Sequence, residues 1–233
     1  MKTTSSIQLA GLLFGCCFLA SYATTANDGF VPLFNGKDLT GWTPAKEKPE
    51  SFSVQDGELI LKGGRSHLFY TGDVNGGTFK NFELRLQAKT LPGANSGVYF
   101  HTKYQDTGWP NAGYECQVNS THKDPKKTGS LYGVVNILVL REGQKEPKGG
   151  KHIKRDAAPS TDGEWFDYHI TVVDKKITIR VNSETTVEYI EPEGGPGNTQ
   201  FSERKVSDGT FALQAHDPKS EVHYRNIRVK ILD

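Results

Sequence analysis

The chain has 233 residues, with 28 basic and 27 acidic side chains and three cysteines. That length supports one substantial core or two small ones, and the near-neutral balance gives no electrostatic reason to expect nucleic acid or an anionic membrane surface as a partner. Beyond residue 23 only Cys116 remains, which excludes a disulfide framework and a thiolate zinc cluster.

The chain opens with Lys2 and a mostly apolar run from Ile7 to Ala20, too short to span a bilayer. Ser21 and Ala23 suit the minus-three and minus-one positions of a signal-peptidase site, as do Thr24 and Ala26. Residues 1–23 are therefore read as a secretory signal, cleaved after Ala23 or Ala26, for a secreted or periplasmic protein without a transmembrane helix. Lipid anchoring at Cys16, in "LFGC", is the alternative. Removing the leader takes away one basic residue, Lys2, and leaves 27 of each sign.

From there to the end helical periodicity is almost absent and strict alternation is common. Strand candidates lie at 52–54 and 58–62. "FELRLQA" puts Phe82, Leu84, Leu86 and Ala88 on one face, with Glu83, Arg85 and Gln87 on the other. Residues 96–102 follow, then "GYECQV" at 113–118. There Tyr114, Cys116 and Val118 make a core face, and Glu115 and Gln117 share the opposite one. A candidate at 131–139 precedes a basic, Gly/Pro-rich loop over 141–163. "WFDYHITVV", "KKITIRV" and residues 186–190 come next, then a second long loop, 191–207. "GTFALQAH" alternates Phe211, Leu213 and Ala215 against Ala212, Gln214 and His216. The last strand, 221–231, changes parity between Tyr224 and Ile227, which a bulge near Arg225–Asn226 would reconcile. Turn signals such as Asp56-Gly57, Pro92-Gly93 and Asp208-Gly209 separate these segments. About a dozen strands without crossover helices predict one all-β domain over 24–233, an antiparallel two-sheet sandwich.

In a sandwich the residues facing away from the core normally meet water. Here those positions hold Glu115 and Gln117, Gln214 and His216, and Tyr99 and His101, with lysine missing from among them. Amides, carboxylates and aromatic rings on one face suit a sugar, since the polar groups bond hydroxyls and the rings cover apolar ring faces. Trp109 either stacks on a sugar or pins its loop. Asn95-Ser96-Gly97 reads as turn chemistry after Pro92-Gly93, His67 and His122 as loop-side surface residues, and His223 as structural. The sequence lacks a phosphate loop, a nucleophile elbow and His-x-x-x-His spacing. A glycosidase needs two suitably separated carboxylates, and only Glu115 is evident.

The blocks "FVPLFNGKDLTGW", "NSGVYFHT", "GYECQV", "TGSLYG", "GEWFDYHI" and "FALQAHDPKSEVHYRNIRV" follow one another through residues 30–232. In that order they resemble the secreted bacterial 3-keto-disaccharide hydrolase family, also described as 3-keto-glucoside 1,2-lyase and 3-keto-2-hydroxy-glucal hydratase domains. The resemblance implies a concanavalin A-like jelly-roll sandwich. It also implies an active face containing Asn95, Glu115, Gln117, Tyr132, Gln214 and His216. Family members often carry Arg at the position of His101. The implied chemistry needs one base and one acid, for which Glu115 and His216 are interchangeable at this stage; Tyr132, Gln214 or Asn95 would donate to an enolate oxygen. It further implies a functional link to a sugar 3-dehydrogenase. No cofactor is predicted; a divalent metal is compatible with histidines and carboxylates on this face, although no ligand spacing points to one. The alternative to an enzyme is a non-catalytic carbohydrate-binding module of the same fold.

Overall fold

The structure is a computed structural model that describes residues 28–197 and 203–233. The leader, both cleavage positions and Cys16 lie outside the described residues. In chain order the strands are β1 (Val31–Pro32), β2 (Trp42–Pro44), β3 (Phe52–Gln55), β4 (Glu58–Lys62), β5 (Ser66–Tyr70), β6 (Phe82–Thr90), β7 (Ser96–Thr102), β8 (Tyr114–Val118), β9 (Val135–Leu138), β10 (Lys151–Lys154), β11 (Phe166–Val173), β12 (Lys176–Val181), β13 (Glu184–Ile190), β14 (Thr210–Ala215) and β15 (Glu221–Ile231). Two short 3-10 turns are the only helical elements among the described residues, and no helix there is long and apolar enough to cross a membrane.

Two antiparallel sheets form the sandwich. The larger runs β13-β12-β11-β6-β15-β4-β3, with β1 on β15; the smaller runs β2-β5-β14-β7-β8. The alternation seen in the sequence is what packs them. Leu84, Leu86, Ile170, Ile179 and Val229 come inward from the larger sheet to meet Leu68, Val98, Cys116, Phe211 and Leu213 from the smaller. Strand β6 alternates buried and half-buried along its whole length, as expected for a sheet with one face on the core. The parity change in β15 is a bulge: its register on β6 shifts between Arg225 and Arg228, and Asn226 takes a left-handed φ of 54°. Tyr224 and Ile227 can then both point inward.

The basic 141–163 segment is not all loop, because β10 pairs in parallel with β9. The 131–139 candidate keeps strand form only over β9; Leu131 instead bridges Cys116 and Val135 at the edge of β8. Strands β7, β8 and β14 are buried on both faces. This departs from the exposed outer face expected of a sandwich. The connections around 103–113 and 119–134, together with residues 192–197 and Arg204, contribute to the walls that turn this face into the floor of a cleft.

Candidate active site

The floor is set by strand register. Across β7 and β8, Tyr99 lies opposite Glu115 and Gly97 opposite Gln117; across β14 and β5, Gln214 lies opposite His67. Period-two alternation puts all of these side chains on the face away from the core. The backbone beneath is fixed by core hydroxyls. Ser96 Oγ donates to the Gln214 carbonyl at 2.6 Å, and Tyr168 Oη donates to the Gln117 carbonyl at 3.0 Å.

Glu115 lies on this floor and is only 6% exposed. Gln214 Nε2 donates to its Oε1 at 3.0 Å and to Tyr99 Oη at 2.9 Å. Its carboxyl lies over Gly97, where a Cβ would come within 2.5 Å of Oε1. Burial pushes the Glu115 carboxyl above its usual range, opposed first by the charge of Arg204. This is desolvation of a charged form, partly offset by a nearby cation. Gln117 Nε2 donates to Asn95 Oδ1 at 3.0 Å, so Asn95, expected in a turn, reaches the floor.

His216 follows directly on β14. Its Nδ1 lies 2.8 Å from Asp217 Oδ2, which also accepts from Ser220 Oγ at 2.8 Å. Although burial pushes the Asp217 carboxyl up, the hydrogen bonds from His216, Ser220 and the Lys219 amide outweigh it and hold it at about 2. An ionised Asp217 accepts from His216 Nδ1, so the neutral tautomer that suits this contact carries its proton on Nδ1 and its lone pair on Nε2. Trp109 covers His216 with ring centroids 5.5 Å apart, and His122 stands at the same distance.

The rest of the cleft, about 920 Å³ in volume, is completed by Tyr132, Asp124, Lys126, Lys148 and Arg204 among others. The Tyr132 amide donates to the Glu115 carbonyl at 2.9 Å, which ties "SLYG" to the edge of β8. Burial raises the Tyr132 phenol, and Lys126 Nζ sits 4.1 Å above its ring. The 119–128 loop is wrapped around the buried ammonium of Lys127, which donates to Asn119 Oδ1, the His122 carbonyl and the Asp124 carbonyl. Arg204 lies on the described segment that leads into β14. Arg204 is pinned on either side: the Gly113 amide donates to the Glu203 carbonyl, and the Val206 amide to buried Glu191. Tyr114 Oη donates to the same Glu191 carboxylate.

Of the sequence-predicted site residues, Glu115, His216, Asn95, Tyr99, Trp109, Gln117, Tyr132 and Gln214 all line this cleft. His101 does not, and this corrects its assignment to substrate binding. It sits at a bulge in β7, where three steps from Tyr99 to Thr102 face two steps on β14, and it takes a left-handed φ of 55°. The bulge breaks the parity with Tyr99. The ring instead packs on Phe82 and Phe100, donates from Nε2 to the Lys80 carbonyl and accepts the Ser207 amide at Nδ1. Burial lowers its pKa to about 4.

His67 and His122, expected at the surface, are also corrected. His67 is buried, and His122 is half-buried beside His216. Sequence reasoning missed Arg204, Asp124, Lys126 and Asp217. Asp217 alone carried a local signal, because "HD" places a carboxylate next to the histidine. His122, His216 and Asp217 offer ligand atoms within 4.8 Å of one another. Within this group His122 Nδ1 accepts the Asp124 amide at 3.1 Å and His216 Nδ1 bonds Asp217.

Residues 29–230 match the model of the 3-keto-alpha-glucoside-1,2-lyase-like domain. The chain belongs to this family. A 3-keto-disaccharide hydrolase of Bacteroides thetaiotaomicron is 25% identical over 250 residues, covering 88% of this chain and 79% of that protein. A crystal structure of a candidate glycosyl hydrolase from Parabacteroides distasonis superposes with a TM-score of 0.62 at 21% identity, covering 88% of this chain and 94% of that one. A Bacillus subtilis protein with a galectin-like fold gives 0.50 at 10% identity over 86% and 94%. At such identities the two structures show a shared jelly-roll fold. Strand register, independently of that match, sets Glu115, Gln117, Gln214 and His216 along one cleft.

Proposed function

We propose that this family member cleaves 3-keto-glycosides, 3-keto-disaccharides among them, by elimination across C1–C2 followed by hydration. The observation that carries the reading is one floor holding a buried carboxyl with a raised pKa, Glu115, next to an imidazole oriented by a carboxylate, His216–Asp217. A conventional glycosidase would need two carboxyl groups flanking the bond. A ketone at C3 removes that need because it acidifies the hydrogen on C2.

In this reading His216 Nε2 takes the C2 proton, and the electron pair moves onto the C3 oxygen as an enolate. The enolate then returns its electrons to form the C1–C2 double bond and expels the C1 oxygen, which takes the proton of Glu115. Water adds back with its hydroxyl to C1 and its proton to C2, so the sum is hydrolysis. Arg204 is the buried cation on the same cleft and supplies charge for the enolate. Asn95, Gln117, Gln214, Tyr99 and Tyr132 hold sugar hydroxyls, and Trp109 stacks on the ring. Asp217 keeps His216 in the required tautomer.

The substrate must come from an oxidation at C3, so the reaction that supplies it belongs to the sugar 3-dehydrogenase class. With the leader read from residues 1–23, this chemistry is placed outside the cytoplasm. The test is to incubate the protein with 3-keto-glucosides in deuterated water and follow products by NMR. Release of the C1 substituent with deuterium at C2 supports the reading. Cleavage of the unoxidised glycoside, or binding without turnover, would replace it with a conventional glycosidase or a carbohydrate-binding module respectively.

A further inference from the structure

Trp109 lines the cleft and stacks on the sugar in the proposed reading, yet it sits on the connection between β7 and β8, where no strand holds it. A stacking ring serves best when its plane is fixed before the sugar arrives, because every side chain immobilised on binding subtracts from affinity. The groups that fix this ring come from outside the cleft.

Arg65, between β4 and β5, places its guanidinium over the indole, 5.2 Å from the ring centroid, within the range of a cation–π contact. Glu47, between β2 and β3, holds that guanidinium. Arg65 Nε donates to Glu47 Oε1 at 3.0 Å, and Arg65 Nη2 donates to the same oxygen. The second oxygen, Oε2, accepts the Gly108 amide at 2.9 Å. One carboxylate therefore joins the cation on the indole to the backbone one residue before it. The hydrogen bond from Arg65 holds the Glu47 carboxyl below its usual range in spite of burial, so both oxygens are acceptors at neutral pH. Neither Glu47 nor Arg65 is among the described residues that line the cleft, so the guanidinium meets a part of the ring turned away from it. The arm itself is shaped by Gln105, whose Nε2 donates to the Thr107 and Trp109 carbonyls, while its Oε1 accepts the Asn111 amide. The Glu47 amide donates to the Asp106 carbonyl at 3.1 Å, which brings the arm to the same segment.

Fold stability does not account for the pair. Its side chains are 40% exposed at Arg65 and 21% at Glu47, and ion pairs in such positions contribute little to folding. We infer that Glu47 and Arg65 are positioning residues, a clamp that fixes the Trp109 indole for stacking before the substrate binds. That the stacked group is a ketosugar ring rests on the proposed function; the clamp rests on the contacts among Glu47, Arg65, Gly108 and Trp109. Glutamine at position 47 would turn an amide group, a donor, toward either the guanidinium or the Gly108 amide, so it is the smallest change that opens the clamp.

The test measures binding of methyl 3-keto-glucoside by calorimetry in the Glu115→Gln background, where turnover is suppressed. Glu47→Gln and Arg65→Met are each expected to weaken the sugar about fivefold, the cost of immobilising one side chain on binding, at a near-native Tm. With Trp109→Ala also present, each is expected to change affinity by less than about twofold, because the pair acts only through the indole. A spectroscopic signature separates this role from a merely structural one. In protein labelled with 5-fluorotryptophan, the 19F line of Trp109, identified by its loss in Trp109→Phe, is expected to broaden or split in Glu47→Gln while the lines of Trp42 and Trp165 stay in place. Equal losses with and without Trp109, unchanged affinity in both variants, an unaltered Trp109 line, or no binding of the sugar overturns the clamp. If Glu47→Gln fails to fold, Arg65→Met carries the same comparisons. Wild-type protein that binds the ketosugar without cleaving it, while the variants follow the expected pattern, removes the proposed function and leaves the clamp; cleavage together with additive losses removes the clamp alone.

Discussion

Gly97→Ala offers a sharp perturbation of the candidate site, because Gly97 touches the chemistry only through Glu115. The added Cβ would lie 2.5 Å from Glu115 Oε1, 2.9 Å from its Cγ and 3.1 Å from its Cδ. Ordinary heavy-atom contact is near 3.5 Å, so the carboxyl must retreat by about 1 Å. The obstructed group is the end of a side chain and Gly97 has an ordinary extended backbone, so the fold should accommodate the methyl. The retreat pulls Oε1 away from Gln214 Nε2 and misplaces the proton donor. Displacement of a reacting group by about 1 Å costs about 10²-fold in rate. The assay is steady-state cleavage of a 3-keto-glucoside, with Tm measured in parallel. The expected result is a kcat reduced about 10²-fold at a near-native Tm, with KM changed less. Adding Gly97→Ala to Glu115→Gln should cost almost nothing further, because the alanine acts only through the group already disabled. A Gly97→Ala enzyme with kcat within a few-fold of wild type refutes the reasoning, as does a full additional loss in the double variant.

Glu115→Gln should reduce cleavage by about two orders of magnitude or more while still exchanging the C2 hydrogen with deuterium; His216→Ala should lose both, and the reverse pattern would exchange their roles. The same Glu115→Gln change should alter stability with a definite sign: an acid whose folded pKa is raised contributes stability that falls as pH rises from its unfolded value through its folded one, so the Tm advantage of the glutamine protein should grow from pH 4.5 upward, and a constant difference would argue against a buried carboxyl. Asp217→Asn should lower kcat with little change in KM, since it releases the tautomer of His216 rather than a substrate contact, and an unchanged pH–rate profile would remove Asp217 from the mechanism. Lys127→Met leaves Asn119 Oδ1 and the His122 and Asp124 carbonyls without their shared ammonium; a loss of about 2 kcal/mol in a chain of this length corresponds to about 6 °C in Tm, read by calorimetry.

The sheets follow from local pattern alone. Apolar residues at every second position in 82–88, 166–172 and 211–215 have only one way to be buried together, and Gly-rich turns separate them, so fold class and inward faces follow from local pattern. The break at Arg225–Asn226 was legible for the same reason, because the parity of the final strand fails unless one residue is looped out. Glu115, Gln117 and Gln214 were identified because a residue's face is fixed by its parity with core neighbours. His101 shows the limit of that rule: a left-handed residue in a bulge reverses parity, and no periodic pattern announces it when only one residue follows. The burial of Glu115 was equally beyond local pattern, since parity distinguishes core face from outer face but says nothing of what covers the outer face. Here the cover is made by connections distant in sequence, and Arg204 and Trp109 arrive on two of them. Their positions depend on anchors such as Glu203 to Gly113 and Glu191 to Val206, contacts between loops that have no spacing to read. The pKa of Glu115 follows from that cover, since desolvation depends on everything packed around a group rather than on its neighbours along the chain.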